Sequence, residues 1–89
     1  MKLVRKVKVK NPLGLHTRPA ATIVKILQPR KSTVRFTYKS ETINARSIMS
    51  ILMLAAKKNS LIEITVEGED AEMTMTYLVD AFEKEFGEK

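Results

Sequence analysis

The chain holds a single histidine, His16, inside Gly14-Leu15-His16-Thr17-Arg18-Pro19-Ala20, where a turn runs into an amphipathic helix. The first turn of a helix offers backbone N–H groups with no partner inside the helix, and these bind anions. A phosphoryl group on an imidazole nitrogen of His16 would meet the free N–H groups of Thr17 and Arg18. The helix dipole contributes roughly 0.3–1 kcal/mol to an anion placed there. The Arg18 guanidinium adds charge-assisted hydrogen bonds, about 1.5–3 kcal/mol when well formed. Attack on phosphorus needs the neutral ring, whose lone pair is the nucleophile. Holding of this modest strength suits a relay, because a tighter grip would trap the phosphate. The same spacing also fits a plainer role, a histidine capping a helix beside a solvated arginine. Spacing alone leaves both open.

A second feature begins at Ser47, which is placed to cap a helix running over roughly Ile48 to Lys57. Ile48, Met49, Ile51, Leu52, Met53 and Leu54 leave that helix no polar face, with only Ser50 intervening. If Ile51, Leu54 and Ala55 face a sheet, then Ile48, Met49 and Leu52 face outward, an apolar patch of the kind that marks a partner site. Methionine suits a surface that accepts several partners. Filling gaps in a thin core is the plainer alternative. A phosphate on Ser47, with charge near about −2, would sit well at the helix start. It would also make the patch beside it costly to desolvate.

The elements that must position these residues are legible from periodicity. Leu3 to Val9 alternates apolar and basic residues and predicts a strand with one wet face. Asn11-Pro12-Leu13-Gly14 is a turn signal, and Gly14 lets the chain turn sharply before His16. Ala20, Ile23, Val24 and Leu27 give helical spacing from about Thr17 to Gln28, where Pro29 ends the segment. Thr33 to Tyr38 and Thr42 to Asn44 predict two short strands around the turn Lys39-Ser40. Leu61 to Glu67 is the clearest strand, with Ile62, Ile64 and Val66 inward. A last helix starts near Asp70, where Glu69, Asp70 and Glu72 suit the helix dipole. Its core stripe is Ala71, Met75, Leu78, Phe82 and Phe86. The order is β-α-β-β-α-β-α, which predicts an α+β two-layer open-faced sandwich: a four-stranded antiparallel sheet covered by three helices on one face.

Composition bounds the rest. At 89 residues the chain fits a single domain, residues 1–89, with a thin core. It has no cysteine, which excludes disulfides, thiolate nucleophiles and cysteine-based zinc sites. One histidine and scattered carboxylates give no metal-ligand spacing, so neither a metal nor a cofactor is expected. The longest apolar stretch, Ile48 to Ala56, is too short to span a bilayer, and no targeting segment is read. A cytoplasmic monomer without membrane insertion is expected. The net charge of +6 favours acidic partners. Nucleic acid is one such class, but only five aromatics are present (two Tyr, three Phe) and the strands lack the stacking pairs of an RNA-binding sheet. One histidine with no base, metal or nucleophilic partner is not a complete catalytic set, so an independent enzyme is not expected.

The Gly14–Ala20 heptad resembles the phosphorylation-site signature of the HPr family, the histidine-containing phosphocarriers of the bacterial phosphoenolpyruvate:sugar phosphotransferase system. Ser47-Ile48-Met49 resembles the segment opening the family's second helix, and Glu67-Gly68-Glu69-Asp70 is similar to the lead into its last one. The family fold has the same β-α-β-β-α-β-α order. The resemblance implies that His16 receives phosphate on Nδ1 from phosphorylated enzyme I and hands it to EIIA domains of sugar permeases or to regulatory proteins. It implies that Arg18 is the arginine beside the active histidine, and that Thr17, Ile48, Met49 and Leu52 dock partners. It further implies that Ser47 matches a serine phosphorylated by HPr kinase/phosphorylase in Gram-positive relatives, which weakens transfer from enzyme I. Departures from the pattern are Ser50 and Asn59, where glycine is frequent, and a hairpin at Lys39-Ser40 without Asn-Gly. The Asn-Pro-Leu-Gly lead-in and the Ile51–Leu54 run are also similar to the nitrogen-branch carrier, so both branches stay open. A purely regulatory module and, more remotely, a basic RNA-binding module are the rival readings.

Overall fold

A computed structural model describes residues 1–88. Four strands and three helices alternate in the expected order: β1 (Lys2–Lys8), α1 (Thr17–Leu27), β2 (Thr33–Tyr38), β3 (Glu41–Asn44), α2 (Ile48–Met53), β4 (Leu61–Glu67) and α3 (Ala71–Glu83). A single 3₁₀ turn, Glu85–Gly87, follows. The sheet is antiparallel throughout, in the order β1-β4-β2-β3. β4 pairs Ile62 with Val7 and Ile64 with Arg5 on one side, and Ile64 with Phe36 and Val66 with Val34 on the other. This register puts Val34, Phe36, Ile62, Ile64 and Val66 on one face, all buried. The opposite face carries Lys6, Glu63, Arg35 and Thr65, so one side of the sheet is covered and one is wet.

The helices cover the apolar face. α1 contributes Ala20, Ile23 and Leu27, and α3 contributes Ala71, Met75, Leu78 and Phe82, every one buried. Burying an aliphatic or aromatic side chain of this size stabilises by about 1.5–3 kcal/mol, which makes these stripes the adhesive of the two layers. Phe82 packs edge-on against Phe36 across the layers, with ring centroids 5.8 Å apart. No helix among the described residues is long and apolar enough to cross a membrane.

Several expectations need correction. α2 stops at Met53 rather than near Lys57: Leu54 and Ala55 donate back to Ile51 and Leu52, and Ala55 turns left-handed with φ 51°. That turn leaves Ala55 exposed and sends Ala56 into the core in its place. Leu52 is accordingly half-buried against the core instead of fully outward, and Met53, at 77% exposure, takes the outer position. Phe86 lies beyond the end of α3, at φ 53°, yet its ring still packs on Phe82 at 4.9 Å. At the end of α1, Gln28 keeps helical angles although Pro29 follows it, and serves as the cap. Asn59, at φ 75°, and Lys39, at φ 57°, occupy the left-handed turns where glycine was the common alternative.

Two polar residues tie the layers together in ways the sequence pattern did not show. Arg46 donates to the carbonyls of Leu27, Arg30 and Ser32 at 2.7, 2.7 and 2.8 Å, closing the end of α1 and the loop after it. Asp70 precedes α3, but its carboxylate does not cap that helix. It reaches across to accept from the backbone N–H groups of Lys31 (2.9 Å) and Ser32 (3.0 Å) and from the Ser32 hydroxyl. These donors, the Ser32 hydroxyl first, hold its pKa down at about 2. The ionised form is therefore the one the fold favours: its contribution is complete above the ordinary aspartate range and is lost as pH falls through about 2. Urea midpoints of the protein and of Asp70→Asn are expected to differ by a constant amount above about pH 5 and to converge between about pH 4 and pH 2. A gap that stays constant down to pH 2 would assign no role to the charge.

Candidate functional site

Gly14 and Leu15 bring the His16 loop against the far end of α2. Gly14 sits at φ 69°, and its N–H donates to Asn11 O at 3.1 Å, closing the turn that Asn11-Pro12-Leu13-Gly14 predicted. The N–H of Leu15 donates to Ala56 O at 2.9 Å, and the Leu15 side chain is buried. His16 follows as the N-cap of α1, in extended conformation, and accepts the first helical hydrogen bond from Ala20 at 3.1 Å. Its side chain makes no capping bond, which removes the plainer role in which the imidazole serves the helix.

Pro19 stands in the first turn and has no N–H, so Thr17 and Arg18 carry the free donors at this end of the helix. No protein acceptor among the described residues takes either one. The Arg18 side chain is exposed and forms no ion pair among the described residues. Pro12, Leu13, His16, Thr17, Arg18, Ala21 and Glu88 line an open cleft of about 640 Å³. The imidazole is 34% exposed within it, within reach of a partner protein.

The ring is not free on both edges. His16 Nε2 lies 3.1 Å and 2.9 Å from the two carboxylate oxygens of Glu88, whose side chain is only 10% exposed. A carboxylate can only accept, so Nε2–H is the donor and the tautomer follows from that partner. In the neutral ring the lone pair then resides on Nδ1, the opposite edge. Glu88 in turn accepts from Asn11 Nδ2 at 2.9 Å, and the same amide donates to Gly14 O at 2.6 Å. Asn11 is wholly buried, and its Oδ1 has no partner among the described residues. An orphaned buried acceptor costs about 1–3 kcal/mol.

Sequence reasoning missed both partners. Asn11 read as a turn former only, and Glu88 lies 72 positions from His16 at the far end of the described chain. No spacing rule joins them. Exposed Leu13, at 76%, also escaped notice as an apolar element of the site.

The expected second feature is also present. Ser47 caps α2, its hydroxyl accepting from the Ser50 N–H at 3.2 Å. Met49 is 69% exposed, Ile48 is exposed beside it, and Leu52 is half-buried. No three histidine, cysteine or carboxylate side chains converge as a metal site among the described residues.

Residues 3–84 match the family model described as the PTS HPr component phosphorylation site. The chain is 45% identical over 80 residues to the phosphocarrier protein HPr of Chlamydia muridarum, covering 90% of this chain and 77% of that protein. It is 36% identical to the phosphocarrier protein HPr of Xylella fastidiosa, covering 90% of each. Among solved structures, HPr from Thermoanaerobacter tengcongensis superposes with a TM-score of 0.93 at 33% identity, covering 98% of both chains. HPr from Bacillus anthracis superposes with a TM-score of 0.86 at 34% identity, covering 91% of this chain and 96% of that one. An open-faced sandwich that presents a partly exposed imidazole at a helix start, matched over nearly its whole length, belongs to the HPr family of phosphotransferase-system phosphocarriers.

Proposed function

We propose that this chain, acting as a single domain over residues 1–89, accepts a phosphoryl group on Nδ1 of His16 from phosphorylated enzyme I. It passes the group to EIIA domains of permeases or to regulatory proteins. It works as a cytoplasmic monomer and needs no cofactor or metal. The observation that carries this reading is the engagement of Nε2 by Glu88, which leaves the Nδ1 lone pair as the nucleophile of an accessible ring. The N–P bond forms as the donor's bond to phosphorus breaks, and the electron pair leaves with the donor. Thr17 and Arg18 offer backbone N–H groups to the phosphate oxygens, and the exposed Arg18 guanidinium adds charge. Thr17, Ile48, Met49 and Leu52 dock the partners, with Leu52 contributing only its exposed part. Ser47 is the regulatory site for an HPr kinase/phosphorylase, where phosphate would place charge beside Ile48 and Met49 and make docking costly.

Incubation with phosphoenolpyruvate and enzyme I tests the reading and is expected to give an acid-labile phosphoryl adduct. Arg18→Ala is expected to slow uptake by about tenfold, the equivalent of one good charge-assisted hydrogen bond, with the thermal midpoint unchanged. Uptake at the original rate in Arg18→Ala would remove the guanidinium from the site. An adduct stable to acid would remove the histidine.

A further inference from the structure

Asn11 is a fully buried amide that the phosphate chemistry does not touch, and it is kept there with its Oδ1 unpartnered among the described residues. Both of its bonds go to groups that only accept, the Gly14 carbonyl and the Glu88 carboxylate, so the amide can face only one way. Glu88 needs such a holder. It follows α3 by a 3₁₀ turn whose other ties are Gly87 N–H to Lys84 O at 3.0 Å, Glu88 N–H to Glu85 O at 2.9 Å, and the Phe86 ring on Phe82. Those ties place the backbone of the tail. Among the described residues, only Asn11 and His16 fix the carboxylate itself.

We propose that Asn11, acting through Glu88, is a positioning residue for His16. It holds the carboxylate that keeps the proton on Nε2 and the lone pair on Nδ1. The proposal rests on the reading of His16 as phosphoryl acceptor. As Nδ1 attacks phosphorus, the donor's bond breaks with its electron pair, and the ring gains positive charge. Nε2 keeps its proton throughout, and that charge develops against Glu88. When the phosphate is handed on, the N–P pair returns to Nδ1 and no proton has been exchanged. A carboxylate orienting an imidazole in this way is a known device of nucleophilic catalysis. Here an amide orients the carboxylate, and the same amide closes the turn that carries His16, so ring and carboxylate share one anchor.

The single histidine makes the test clean, because the imidazole ¹⁵N spectrum belongs to His16 alone. In the folded protein the neutral ring is expected almost wholly as the Nε2–H tautomer. Glu88→Gln offers both a donor and an acceptor, and is expected to raise the Nδ1–H fraction at least about threefold and to slow phosphoryl uptake by about tenfold. Asn11→Ala is expected to do the same, and the double variant to go no further than Glu88→Gln. An unchanged tautomer ratio in folded Glu88→Gln overturns the proposal. So does an Asn11→Ala effect that persists in full when Glu88 is already glutamine, since Asn11 would then act through the turn. If the parent protein takes up no phosphate, the reading of His16 fails separately, because the tautomer ratio is read without enzyme I.

Discussion

His16→Ala is expected to leave a folded protein that takes up no acid-labile phosphate from phosphoenolpyruvate and enzyme I. The loss should exceed about a thousandfold, because removing the nucleophile leaves only the positioning groups. Stability is expected to change by about 1 kcal/mol at most, since the ring is partly exposed and makes no capping bond, and only its contact with Glu88 is lost. Labelling followed by acid and alkaline treatment reads the result. Phosphohistidine is lost in acid, whereas phosphate on Ser47 survives it. Acid-labile label persisting in His16→Ala would move the acceptor elsewhere. Acid-stable label alone, lost in Ser47→Ala and with no acid-labile adduct in the parent protein, would favour a chain that is regulated but never carries phosphate on histidine. The same gel therefore separates the carrier from its regulatory rival.

What could be read in the sequence follows the range of the interactions involved. Ala20, Ile23 and Leu27, or Ile62, Ile64 and Val66, declare their elements by local periodicity, and all six are buried. Ser47 was legible as a cap because a cap is a contact between neighbours, here with Ser50. α2 misled because the unbroken apolar run from Ile51 to Ala56 carries no phase: its end depends on Ala55 turning left-handed so that Ala56 can reach Leu15, a tertiary demand. Asp70 shows the same limit. Its type and place fit a helix start, but the better-formed donors belonged to Lys31 and Ser32, and tertiary hydrogen bonds overrode the local one. The site divides in the same way. His16, Thr17 and Arg18 lie together in the chain and line one cleft. Asn11 and Glu88 meet the ring only because α3 and its tail return to the loop after β1, and a short-range pattern cannot contain that meeting.

Gly14→Ala is expected to be the most damaging small substitution in the site, by an argument that joins loop, helix and chemistry. At φ 69° a side chain already costs about 1–2 kcal/mol. A Cβ here would also press into the Ala56 carbonyl and lie 2.9 Å from Lys57 Cα, both backbone atoms that no rotamer change can move. Overpacking of that kind adds about 1–3 kcal/mol, so the total loss should be about 2–5 kcal/mol, a large share of what a domain this size has. Gly87→Ala separates the two terms. Gly87 has a similar φ, 76°, with nothing within 4 Å of its Cβ position, so it should lose only the conformational part. Urea midpoints of the two variants give the difference directly, and equal losses would show that the approach to Ala56 is not a constraint. Where Gly14→Ala remains folded, the relief must come from the loop moving off α2, which breaks the bond from Leu15 N–H to Ala56 O and shifts His16 away from Glu88. Phosphoryl uptake should then fall further than in Gly87→Ala, because the ring loses its place beside α2 and its contact with the Glu88 carboxylate in one displacement.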